Sequence, residues 1–215
     1  MTKDDFITTI QPKDYPRPML AQRILHDTGL RELAIDLMCH HPAIMVYYHC
    51  YEIVKDASAQ DARPFLAYQA AFQHLLTHQN SYHRDFGLVL LANLTAFSET
   101  VNFTDVATAY FQCLDDPKMM TAQCCLQSLN HIITHRQEYT ALITTEVLHR
   151  PHFQRYTEKQ QALLHSDVLN ILQTAYRQGV FQEAIRAAIL EHCHSRSPKT
   201  RQLAKRLSMT MLSDG

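Results

Sequence analysis

The side chains of this 215-residue protein best suited to metal binding or nucleophilic chemistry are fourteen histidines and six cysteines. His74/His78 and His131/His135 stand four apart, the spacing that sets two imidazoles on one helical face, while "CHH" at 39–41 and "HCH" at 192–194 form local clusters. What these pairs lack is a carboxylate or a third ligand at a matching spacing, such as the glutamate within an HExxH helix. Helix ends, where an imidazole sits favourably against the dipole, are the plainer expectation for His78, His135 and His194. Cys39, Cys50, Cys113, Cys124, Cys125 and Cys193 lie mostly in apolar helical runs with no CxxC pair, which points to reduced, buried thiols rather than disulfides or zinc. Cys124 and Cys125 would point about 100° apart on a helix, so the two do not readily face one metal or one substrate.

Nucleophilic catalysis finds no better support. GxSxG, a glycine-rich phosphate loop and a cysteine with an activating electropositive neighbour are all missing from the sequence. The expectation is therefore no catalytic residue, no metal and no cofactor. An enzyme whose site is assembled from dispersed residues stays as the third functional reading.

The elements that would position any site read as helices. Leu, Ala, Gln, Met and Arg are plentiful and only four glycines occur, which disfavours a chain of tight β-hairpins. Pro16 and Pro18 mark residues 1–19 as an extended lead-in. Residues 20–62 read as capping helices: Leu20 to Cys39 punctuated at Gly29, then a helix from Pro42 to Lys55, then the polar break "DASAQDARP". From Arg63 to the end the apolar pattern settles into four helical pairs joined by polar corners, continuous with the capping helices as a single domain. In "DDPKMMTAQCCLQSLNHI", Asp115 or Asp116 can cap a helix whose first turn holds Pro117.

Self-comparison turns these pairs into a repeat. At an offset of 35, Asn80 meets Asp115, Gly87 meets Ala122, Leu91 meets Leu126 and Leu94 meets Leu129; at 43, Leu169 and Leu172 fall on Leu126 and Leu129. "SPK" at 197–199 echoes "DPK" at 116–118. With the Asp116-Pro117 corner and the Leu-x-x-Leu runs at 91–94, 126–129 and 169–172, residues 63–212 resemble HEAT-like and armadillo-type helical repeats. Arg84 matches the family's arginine near the start of the second helix, whereas Met119 departs from it. The resemblance implies an all-α, right-handed α-solenoid of HEAT-like hairpins with N-terminal capping helices. A single hairpin cannot bury both its apolar faces, so stacked neighbours must share one core.

Such an array offers surface rather than reaction machinery. In HEAT-like arrays the second helices line the concave side, and there Gln127 aligns with Asn170 and Asn130 with Gln173 at the offset of 43. The leading expectation is a non-catalytic scaffold or interaction module, cytoplasmic, binding a protein or peptide through Gln123, Gln127, Asn130, Asn170, Gln173 and Arg177. The runner-up follows from charge. Net charge is −1, yet residues 149–215 hold ten Lys/Arg against five Asp/Glu, while 59–148 hold four against eight. Arg196, Lys199, Arg201, Lys205 and Arg206 are the candidate phosphate contacts of a nucleic-acid-binding protein. Neither a signal-peptide core nor a run of about 18 apolar residues occurs, so no membrane association is expected.

Overall fold

The first turn of the chain is fixed by a reciprocal cap. The Thr2 hydroxyl accepts from the Asp5 amide and the Asp5 carboxylate accepts from the Thr2 amide, both at 3.2 Å, which opens α1 (Lys3–Ile10). In the computed structural model, which describes residues 1–149 and 153–213, the expected extended lead-in is thus partly helical. Phe6 and Ile10 are fully buried, and burying this apolar face is what overrides the extended bias of the prolines downstream. Among the described residues no strand occurs, and the chain divides into two compact units, Met1–Val101 and Asn102–Gly215.

In the first unit, α2 (Arg17–His26) and α3 (Thr28–His40) are separated at Asp27 rather than Gly29, because the Asp27 carboxylate caps α3 by accepting from the Leu30 amide at 3.0 Å. The next helix, α4 (Ile44–Gln60), starts after Pro42 and runs on past Lys55. Ala57 and Ser58, expected in a polar break, are fully buried there and extend the apolar stripe of Ile53 and Val54. Arg17 clamps the start of α2 to α4, pairing with Glu52 at 2.6 Å and bidentately with Asp56 at 2.6 Å, while the Tyr15 hydroxyl donates to Glu52 at 2.8 Å. The stretch expected as one helix from Arg63 is a 3-10 turn at Arg63–Tyr68 followed by α5 (Gln69–Leu75). α6 (Ser81–Phe97) packs on both α4 and α5. Gly87 allows the α5 contact: a Cβ there would lie 2.8 Å from the Phe72 carbonyl oxygen.

The second unit holds α7 (Ala107–Gln112), α8 (Met119–His135), α9 (Thr140–His149), α10 (Glu158–Arg177), α11 (Gln182–His192) and α12 (Pro198–Ser213). α8 packs on α10 and α10 on α12, so the second members of the helical pairs lie side by side. Leu126 and Leu129 of α8 and Leu169 and Leu172 of α10 are buried. The acidic corner differs from its expected role. Lys118 is the residue before α8, and Asp116 closes the turn by accepting from the Lys118 amide at 2.7 Å. Asp115 instead accepts from the Phe153 amide at 2.7 Å, and the Tyr156 hydroxyl donates to the Asp116 carbonyl. The corner therefore holds the segment leading into the next pair. α10 opens with a capping box of Thr157 and Gln160 and ends at Gly179, whose φ of +76° is the left-handed conformation glycine adopts freely.

Candidate functional site

The exposed side of α8 is set by the 3.6-residue period: with Ala122, Cys125, Leu126, Leu129 and Ile132 buried, Gln123, Gln127 and Asn130 fall on the opposite stripe. The same logic on α10 turns Asn170, Gln173 and Arg177 outward from buried Leu169, Leu172 and Tyr176. Gln127, Asn170 and Arg177 are exposed, and Gln123, Asn130 and Gln173 are half-buried. Two of the six serve as links between the helices. Gln123 donates its amide to Asp167 at 2.9 Å, and Asn130 accepts from the Thr174 hydroxyl at 2.9 Å. Among the described residues the side chains of Gln127, Asn170, Gln173 and Arg177 have no such partner. Gln173 and Arg177 line, with Leu207 and Thr210 of α12, a small recess where α10 meets α12.

The five basic residues of the C-terminal region do not share one stripe. Thr200, Ala204, Leu207 and Met211 bury one side of α12, which puts Lys199 and Arg206 on the flank nearer α10 and Arg201 and Lys205 on the other. Arg201 donates to the Ser195 carbonyl at 2.7 Å, and Arg196, ahead of the helix, pairs with Glu158. Lys199, Lys205 and Arg206 remain exposed.

Histidine geometry follows packing more than sequence spacing. His78 stacks on His83 at 4.3 Å between ring centroids, and His131 faces His135 at 4.6 Å. The described residues contain no group of three or more His, Cys, Asp or Glu able to hold a metal. Burial, with help from His135, lowers the pKa of His131. The six thiols are unbridged; Cys50, Cys113 and Cys125 are buried, but Cys39, Cys124 and Cys193 are only half-buried, at the edges of their apolar stripes. Burial raises Cys39 to about 11 and Cys125 well above its ordinary value, and the Cys125 thiol is 3.3 Å from the Tyr110 carbonyl it donates to. Both thiols are held in the unreactive form.

Two constellations escape sequence spacing. His165 of α10 and His192 of α11 meet at 4.6 Å, 27 residues apart, and burial together with His192 lowers His165 to about 4. In the first unit Tyr48 and Tyr82 meet edge to face at 6.0 Å beside Tyr51, which stacks on Phe86 at 3.9 Å. Tyr48, Tyr82, Ile44 and Met45 are all exposed there. Only Ile44 and Tyr48, four apart on α4, are related by sequence spacing; Tyr82 comes from α6.

No family model matches the sequence, and neither does any curated protein. Solved structures do resemble it. A designed armadillo repeat protein aligns at a TM-score of 0.59 and 10% identity over 98% of this chain and 100% of that one. Two engineered proteins of a structural genomics consortium align at TM-scores of 0.55 and 0.54, with 12% and 16% identity over 99% of this chain, covering 90% and 100% of theirs. Together with the all-helical content, these likenesses establish the fold class as an all-α solenoid of helical repeats.

Proposed function

We propose that the protein is a non-catalytic interaction module which takes a protein or peptide partner on the face built by α8, α10 and α12. One observation carries this reading: Gln127, Asn170, Gln173 and Arg177 stand unpartnered on adjoining helices above a layer of buried leucines. Amides on a rigid helical wall offer donors and acceptors whose positions are fixed before a partner arrives, which lowers the ordering cost of binding. Gln123 and Asn130 support that wall by bonding α8 to α10. Nucleic-acid binding is less well supported, because Arg196 and Arg201 are already engaged and the remaining cations lie on two flanks of α12.

The test compares the native chain with a Gln127→Ala/Asn170→Ala/Gln173→Ala variant in affinity capture from native lysate, read for proteins and nucleic acids together. The proposal expects a protein recovered by the native chain and lost by the variant, with equal urea midpoints for both. Equal recovery by both, or recovery of nucleic acid alone with retention that falls steeply with salt, overturns it.

A further inference from the structure

The charge on this face points to the chemistry of its partner. Over the described lengths of α8, α10 and α12 only two carboxylates occur, Glu158 and Asp167. Asp167 is buried and accepts from Gln123, whereas Glu158 is exposed in the first turn of α10, where Arg196 balances its charge. The cations are placed otherwise. Arg177 is exposed at the end of α10, beside the recess it shares with Gln173 and Thr210. Arg206 lies one turn before Thr210 on the same flank of α12, its carbonyl accepting from the Thr210 hydroxyl at 3.1 Å, and Lys199 lies two turns before Arg206. The face is thus an amide wall on α8 and α10 that becomes cationic towards α12, its one exposed carboxylate, Glu158, lying at the far end of α10 from Arg177 and balanced by Arg196.

We infer that this face binds an extended acidic peptide segment, the amides meeting its backbone and Arg177, Arg206 and Lys199 meeting its carboxylates; the inference rests on the reading of the face as a partner site. Dimensions agree. Neighbouring packed helices lie roughly 8–10 Å apart, so crossing from α8 to α12 is a span of about 20 Å, and following α12 from Arg206 to Lys199 adds about 10 Å, which an extended strand of about nine residues covers. A nucleic acid fits less well: Arg201 and Lys205 face away from this flank, and no exposed phenylalanine, tyrosine or tryptophan lies on the described lengths of the three helices for the bases of a single strand to stack on.

The test is fluorescence anisotropy of the full chain with a labelled Glu-Ser repeat peptide, its Gln-Ser counterpart and a thymidine oligonucleotide of equal length. The expected result is binding of the Glu-Ser peptide at least about tenfold tighter than the Gln-Ser peptide at low salt, weakening as salt rises. Arg177→Glu/Arg206→Glu should weaken the Glu-Ser peptide by about tenfold or more, while Lys205→Glu on the opposite flank changes it less than about twofold. Unchanged circular dichroism and urea midpoints establish that these variants fold. If both peptides bind equally and both are lost in Gln127→Ala/Asn170→Ala, the acidic preference is refuted while the partner face stands. If no peptide responds to any substitution on the face, both readings fall, and an oligonucleotide that outcompetes the Glu-Ser peptide overturns the inference in favour of a phosphate-binding surface.

Discussion

Acidification should destabilise the second unit most strongly through the His165–His192 pair, with His131 acting in the same sense. His165 lies 5.9 Å from Phe153 and 4.6 Å from His192, ring to ring, and burial is the larger reason its pKa falls from 6.5 to about 4, with His192 the smaller. A group that holds its proton more weakly folded than unfolded makes the unfolded chain the better proton acceptor. The stability it contributes is therefore complete above about pH 6.5 and is lost as the pH falls towards 4. Full transfer of that difference would amount to about 3 kcal/mol, and partial solvent access reduces it to ~2 kcal/mol. Burial also lowers His192, while Glu191 beside it acts in the opposite sense, so the loss is shared between the two rings. The assay is urea unfolding of the native chain and of His165→Gln at pH 7 and pH 4.5. The native chain should lose about 1–2 kcal/mol more than the variant between the two conditions. Parallel losses would refute the argument, because the titrating groups common to both proteins, His131 and His83 among them, would then account for all of the pH dependence.

The remaining expectations concern packing. Leu126→Ala, Leu129→Ala, Leu169→Ala or Leu172→Ala should each cost about 2–5 kcal/mol in chemical denaturation, whereas Gln127→Ala or Asn170→Ala should stay within roughly 0.5 kcal/mol. Gly87→Ala should destabilise by about 1–3 kcal/mol despite alanine's better helix propensity, since its methyl would meet the Phe72 carbonyl at 2.8 Å; a raised melting temperature would contradict this. Arg17→Ala leaves Glu52 and Asp56 half-buried without their cation and should lower stability by about 1–2 kcal/mol, with faster amide exchange in α1 and α2 if the clamp is what holds them.

The long second helices were legible because their apolar period is unbroken. α10 begins and ends where the pattern starts and stops, and the leucines aligned by the repeat offsets, on α6, α8 and α10, are all buried. Short elements were not legible. The 3-10 turn at Arg63–Tyr68 carries the same apolar residues an α-helix would, with Phe65 buried as it would be there, so the sequence does not tell the two apart. α1 was hidden because its stabilisation comes from burying Phe6 and Ile10 and from His49, 2.6 Å from the Ile10 carbonyl, all tertiary facts. The candidate face was legible in its residues but not in its division of labour. A stripe position says that Gln123 and Gln127 share a side of α8; that one is tied to Asp167 and the other is free depends on the neighbouring helix.

The Asp115–Asp116 corner bears on how the second unit folds. Its bonds to Phe153 and Tyr156 join residues 38 and 40 positions apart, and the links from Gln123 to Asp167 and from Asn130 to Thr174 join residues 44 apart. Each closes a loop one helical pair long, so its entropic penalty is set by a single repeat and not by the length of the chain. Order can then start in any pair and spread to the next, with a modest barrier at each step and folding that is fast for a chain of this size. A chain built this way can also lose or duplicate a whole pair without rewiring the rest, because the bonds that hold a pair reach only as far as its neighbours.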